Sequence, residues 1–290
     1  MEIKGNDPVN RSGIVRKHPG ATFFILAYLI GLAGVLPAYF LKIAPLALIA
    51  AYSSTISGII TAALYGGKSE LKSILKSMVK VKCGVLPYVY ALVIPIAIVV
   101  GAISVNWLFG NPIPTVSRGR WMMLIPYLIF FSIQAGLGEE LGWRGFAFPK
   151  LIACGKSALA SSLIVGVVWA LWHTPLYFIP GQGQYMMAHE LGFWYTFVFY
   201  GLHVVSASVV YCWLYLRSGK SVLLPIIIHG TVNALSHIYE YENFRAVGGM
   251  VAAKTVTVLW ILIALIIVLR SPYFNKRTNI SLETEQSLYK

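Results

Sequence analysis

Eight stretches of this 290-residue chain are apolar for close to the length of a membrane crossing: Ala21–Phe40, Ala44–Tyr65, Gly84–Phe109, Trp121–Gly138, Ser157–Ile179, Phe193–Leu216, Val222–Tyr239 and Val251–Leu269. A hydrocarbon core of about 30 Å takes roughly 20 helical residues to cross. Lipid leaves no partner for a bare backbone, so such stretches must fold as helices or as a closed barrel. Continuous apolar runs of this length fit helices. The chain is therefore expected to be an all-α, polytopic membrane bundle of about eight transmembrane helices. Charged residues are only 11% of the total, against about a quarter in soluble domains. No internal repeat or low-complexity linker divides the chain, so residues 21–270 read as one transmembrane domain.

The net charge of +13 first suggests a nucleic-acid partner. The placement of the charges argues against one. With the N-terminus in the cytoplasm, 18 Lys and Arg residues fall on the cytoplasmic side and 5 on the other: Lys42, Arg118, Arg120, Arg245 and Lys254. Such a bias orients multi-pass proteins. Residues 1–20 are then a cytoplasmic segment and residues 271–290 a polar cytoplasmic tail. The first twenty residues lack the apolar core of a signal peptide, so the first span is read as a retained anchor. Between Lys68 and Lys82, apolar Leu71, Ile74, Leu75, Met78 and Val79 recur at helical spacing, and Lys68, Lys72, Lys76 and Lys80 recur every fourth residue. That pattern is a basic amphipathic helix lying on a leaflet surface.

Polar groups inside apolar helices are costly, and ionisable ones there usually serve a function. Six stand out: Glu139, Glu140, Arg144, His173, His229 and Asn233. Glu140 and Arg144 are four apart, with the acid toward the N-terminus, the favourable order for a helical ion pair. Glu139 points about 100° away from Glu140 at 3.6 residues per turn, so it needs a partner elsewhere. His173 closes the run Trp169-Ala-Leu-Trp-His173. Glu139 and His173 are equidistant from Lys156, at the expected turn between the fourth and fifth spans, so an antiparallel hairpin sets them at one depth. His229 and Asn233 share a face of the seventh span. These groups supply a base, a partner for it and two donors for an oxyanion, the minimum set for amide hydrolysis.

Other chemistries are poorly served. Asp7 is the single aspartate, which excludes an intramembrane aspartyl pair. His189-Glu190-Leu-Gly-Phe193 starts like an H-E-x-x-H zinc motif but has Phe193 in place of the second histidine. Ser206 and Ser208 follow His203, but there is no G-x-S-x-G elbow. Cys83, Cys154 and Cys212 have no paired spacing. Glu139, His173 and His229 could in principle hold zinc with an open position for water, and residue types alone leave that alternative open.

The three clusters, in order, resemble the motifs E-E-x-x-x-R, F-x-x-x-H and H-x-x-x-N of the CPBP family of membrane proteins. That family includes type II CAAX prenyl endopeptidases and bacteriocin-processing or immunity proteins. Here the motifs stand as Glu139-Glu140-Leu-Gly-Trp-Arg144, Trp169-Ala-Leu-Trp-His173 and His229-Gly-Thr-Val-Asn233, within residues 121–239, with Trp169 in place of the usual Phe. The resemblance implies a metal-free, glutamate-type intramembrane endopeptidase with a protease core over about 121–239. Glu139 would activate water with help from His173, His229 and Asn233 would hold the oxyanion, and Glu140 and Arg144 would support the site. Its substrate would be a peptide or membrane protein, lipidated in one branch of the family, met among membrane lipids. The same scaffold also admits a non-catalytic binding or immunity protein.

Overall fold

The computed structural model describes residues 13–239 and 249–274, and these form a helical bundle with no strand among them. The tail, most of the N-terminal segment and Arg245 lie outside the described residues. Five helices are long and apolar enough to cross a membrane: Pro19–Phe40 (α1), Val85–Leu108 (α4), the unit Ala158–Phe178, Phe193–Arg217 (α10) and Gly249–Arg270 (α12). Large apolar side chains remain exposed along them, Ile25, Leu29, Val93, Val100, Leu265 and Ile266 among them. That outer surface suits lipid, and the chain is an integral membrane protein.

The other three expected spans are helical but interrupted. The second begins as a 3-10 turn, Ala44–Leu46, and a short helix, Ala47–Ala51, before Ser53–Gly66 (α2). The seventh is the shorter Leu223–Ile238 (α11), with Pro225 in its first turn, where a missing N–H costs nothing. The fourth differs most from expectation. It does not end at Gly138. It runs from Leu124–Phe131 (α5) through a π-turn, Ser132–Leu137, into Gly138–Gly142 (α6), then through a second π-turn, Trp143–Ala147, into Phe148–Ala153 (α7). Pro149 takes an early position in α7, so it does not break the run. The helix therefore carries both glutamates inward.

Glycine lets this happen. A methyl on Gly142 would overlap the carbonyl and hydroxyl oxygens of Ser54, and one on Gly138 would stand 2.7 Å from the Ala51 carbonyl. Small residues allow such close helix approach in membranes. Hydrogen bonds from Ser54 Oγ to the Glu139 carbonyl (2.9 Å) and from Thr55 Oγ1 to the Leu137 carbonyl (2.7 Å) fasten α2 to α6. The hydroxyls of α2 thus find backbone acceptors on the interrupted helix, as buried polar groups must.

The turn expected near Lys156 is present. Gly155 adopts φ +84°, and Ser157 caps Ala158–Trp172 (α8) by accepting from the Ala160 N–H at 3.1 Å. The basic helix is Lys68–Met78 (α3), and its apolar stripe is divided. Ile74 is buried and Leu71 and Met78 pack on the core, whereas Leu75 and Val79 are exposed beside Lys68, Lys72 and Lys76. The segment is fastened to the start of α11: the Val222 N–H donates to the Ser77 carbonyl (3.0 Å), and Lys80 Nζ to the Gly219 carbonyl (2.6 Å). Helix α10 packs on α8 and α12, and Gly183–Leu191 (α9) packs on α10. One apolar core, with Trp143, Phe146, Trp169, Tyr211 and Trp260 among its members, joins these layers.

Candidate functional site

Helices α6, α8 and α11 converge on a cavity of about 830 Å³, with Glu139, Trp169, His173, His229 and Asn233 in its wall. The residues singled out in the three clusters thus meet, as their spacing predicts. Glu140 and Arg144 stand behind the wall, both fully buried.

The ion pair expected between Glu140 and Arg144 is formed. Arg144 Nη1 lies 3.0 Å and 2.9 Å from the two Glu140 oxygens. The guanidinium is also layered between aromatic faces, 4.5 Å from the Trp169 ring centre and 5.1 Å from that of Tyr211. Cation–π contacts of this kind strengthen when water is excluded. Arg144, one of the 18 residues counted on the cytoplasmic side, is therefore a core residue, and the charge bias keeps its sign without it.

His229 departs from the simplest reading of its helix. It does not pair with Asn233, its neighbour one turn on. Its Nδ1 lies 2.8 Å from Glu140 Oε1. A carboxylate only accepts, so Nδ1 carries the proton and Nε2 is the nitrogen left for the cavity. Glu140 thereby joins two helices, bonding Arg144 on its own segment and His229 on α11. The histidine on α8 is oriented in the same way: His173 Nδ1 donates to the Trp169 carbonyl at 2.8 Å, which leaves Nε2 with its lone pair.

Glu139 faces the cavity and is 7% exposed. Its partner is one that the sequence did not reveal: Trp169 Nε1–H donates to Glu139 Oε2 at 2.6 Å. That leaves Oε1 for a water or a substrate. Tyr200, His203 and Gln184 also line the cavity, and Gln184 Nε2 donates to the Tyr200 hydroxyl at 2.8 Å. None of the three belongs to the three clusters, so their spacing did not mark them as site residues. Helix α9, bracketed by Gly181 and Gly192 at positive φ, covers one side of the cavity with Met186 and Met187.

Among the described residues, no three His, Cys, Asp or Glu side chains are grouped so as to hold a metal ion. Ser208, the alternative nucleophile, donates its hydroxyl to the Ser162 carbonyl at 2.9 Å and is buried between α10 and α8. The three cysteines are free thiols, and Cys212 is buried in the core. In chemical terms, the three clusters present to the cavity one Glu139 oxygen, the His173 lone pair, the His229 imidazole backed by Glu140 and the Asn233 carboxamide, with His203 and His237 elsewhere in its wall.

Comparison with known proteins is concordant. Residues 121–235 match the family model described as type II CAAX prenyl endopeptidase Rce1-like. The chain is 35% identical over 106 residues to a protein of Methanococcus maripaludis named CAAX prenyl protease 2. That match covers 37% of this chain and 38% of the relative, so it spans well under half the relative's length.

Proposed function

We propose that this chain, which carries an Rce1-like domain over residues 121–235, is a glutamate-type intramembrane endopeptidase that hydrolyses a peptide bond near the membrane surface. The observation that carries the reading is the convergence of Glu139, His173, His229 and Asn233 on one cavity wall. Each imidazole is turned by an Nδ1 hydrogen bond, so its Nε2 is free.

The reaction follows from which atoms are free. Water sits between Glu139 Oε1 and His173 Nε2, both acceptors. Glu139 takes a proton as the water oxygen bonds to the scissile carbonyl carbon. The carbonyl oxygen becomes an oxyanion, held by His229 Nε2–H and the Asn233 amide. The C–N bond then breaks as the proton held at Glu139 passes to the leaving nitrogen, and the second water proton, left on the new carboxyl group, passes to His173 Nε2, so that a carboxylate and an amine result. Donors fixed in place before the charge develops cost no reorganisation during the step.

For His229 to donate from Nε2 while Nδ1–H binds Glu140, its ring must carry both protons. Charge balance supports that state. Two carboxylates, Glu139 and Glu140, then face two cations, Arg144 and His229, and the buried set is neutral. Buried ions persist when they are paired and hydrogen-bonded in this way.

The proposed substrate is a peptide or a membrane protein, and the CAAX-protease likeness makes a lipidated C-terminal peptide the first to test. No metal takes part in the step as written. The charge bias supports cytoplasmic termini. The test is incubation of the detergent-purified chain with lipidated and unlipidated C-terminal peptides, with mass spectrometry of the products. One new pair of fragments, cut at a single peptide bond, is expected. No cleavage of either peptide by a folded, monodisperse sample points to the binding-protein reading of the scaffold.

A further inference from the structure

The structure assigns Trp169 as a positioning residue for the Glu139 carboxylate, a task that the phenylalanine usual at this point of the F-x-x-x-H pattern could not perform. The inference deepens the endopeptidase reading and rests on it. Both aromatic rings fill space, but only indole carries an N–H donor. That N–H is 2.6 Å from Glu139 Oε2. Trp169 is 4% exposed, so the bond is made away from bulk water. A hydrogen bond to an ionised group is stronger than a neutral one and more costly to lose when buried.

The same residue also touches His173, Arg144 and His229. Its backbone carbonyl holds His173 Nδ1, its ring lies against the Arg144 guanidinium, and its ring centre is 5.5 Å from that of His229, edge to face. Trp169 therefore sets the register between the base on α6 and the two histidines. With Oε2 held, rotation of the carboxylate is stopped and Oε1 alone is presented to the water. A phenylalanine would leave the same oxygen without its donor and the carboxylate free to turn. The backbone hydrogen bond to His173 does not depend on the side chain and survives the change.

Two measurements test the assignment. In the first, Trp169→Phe is compared with the parent in steady-state peptide cleavage. The expected result is a kcat lower by about tenfold or more, with KM within about twofold, because the lost bond acts on the reacting carboxylate and not on substrate contacts. In the second, the protein is labelled with 15N at the tryptophan indoles, and the Trp169 resonance is identified by its loss in Trp169→Phe. The indole proton is expected downfield in the parent and displaced upfield in Glu139→Gln, whose neutral amide oxygen is a weaker acceptor. This readout does not need activity, and it stands even where Trp169→Phe proves unstable, with the resonance then assigned by replacing the other tryptophans. A kcat for Trp169→Phe equal to the parent's, or an indole resonance indifferent to Glu139→Gln, overturns the assignment. The two claims fail separately: full activity in Glu139→Gln defeats the endopeptidase mechanism, whereas a silent Glu139→Gln beside a fully active Trp169→Phe defeats only the role of Trp169.

Discussion

Glu140 Oε1 accepts from His229 Nδ1 at 2.8 Å while both oxygens of the same carboxylate engage Arg144. One fully buried side chain thus orients the ring of a histidine on another helix and neutralises a buried arginine. Glu140→Gln should consequently harm both stability and activity. Removing one partner of a buried ion pair costs about 3–5 kcal/mol, because the other charge is left uncompensated. Thermal unfolding in detergent should show a clear fall in midpoint, and peptide cleavage should fall at least a hundredfold.

His173 is a different case. Its Nε2 is left for the cavity, its Nδ1 bonds a local backbone carbonyl, and its ring meets aromatic edges of Trp172 and Tyr200 with no charge partner in that set. His173→Ala should leave the unfolding midpoint within a few degrees of the parent and reduce kcat by about 10²–10⁴, the range usual for a positioned acid–base group. A stopped-time cleavage assay beside a melting curve separates the two effects.

The closeness of α2 and α6 predicts intolerance at Gly142. Any Cβ there meets Ser54 oxygens, and backbone cannot retreat as a flexible side chain can. Overpacking of this kind costs typically about 1–3 kcal/mol. Gly142→Ala should lower the melting midpoint and the yield of monodisperse protein, and Gly142→Ala with Ser54→Gly should recover part of the loss. Equal melting of parent and Gly142→Ala would contradict the packing.

Metal removal provides a further prediction. The proton transfers are assigned to Glu139 and His173 alone. Prolonged treatment with a strong chelator followed by gel filtration should leave the cleavage rate unchanged, and added zinc should not raise it. Loss on chelation with recovery on zinc would replace the metal-free step by a zinc-bound water.

Much of this site was legible in the sequence because helices translate spacing directly into geometry. The four-residue separation of Glu140 and Arg144 gave their ion pair, and the equal distances of Glu139 and His173 from Lys156 placed them on one cavity. Three features were not legible. The π-turns flanking α6 follow no local pattern in the sequence, and one of them meets a tertiary donor, Thr55. The Glu140–His229 bond joins residues 89 positions apart and depends on how α11 is rotated. Trp169 looked like one aromatic exchanged for another, because a sequence shows that an N–H exists but not what it faces. The end of the fourth span was likewise set by tertiary packing. Hydropathy saw the fourth apolar run stop at Gly138, whereas glycine packing against α2 carries the helix onward to Ala153.

The most direct test of the account is Glu139→Gln, purified beside the parent and given the same peptide. The exchange keeps shape and an oxygen for Trp169, and removes the base. Cleavage should drop at least a hundredfold, with elution volume and melting midpoint unchanged. Cleavage at the parent rate by the folded variant would contradict the claim that Glu139 takes the proton from water.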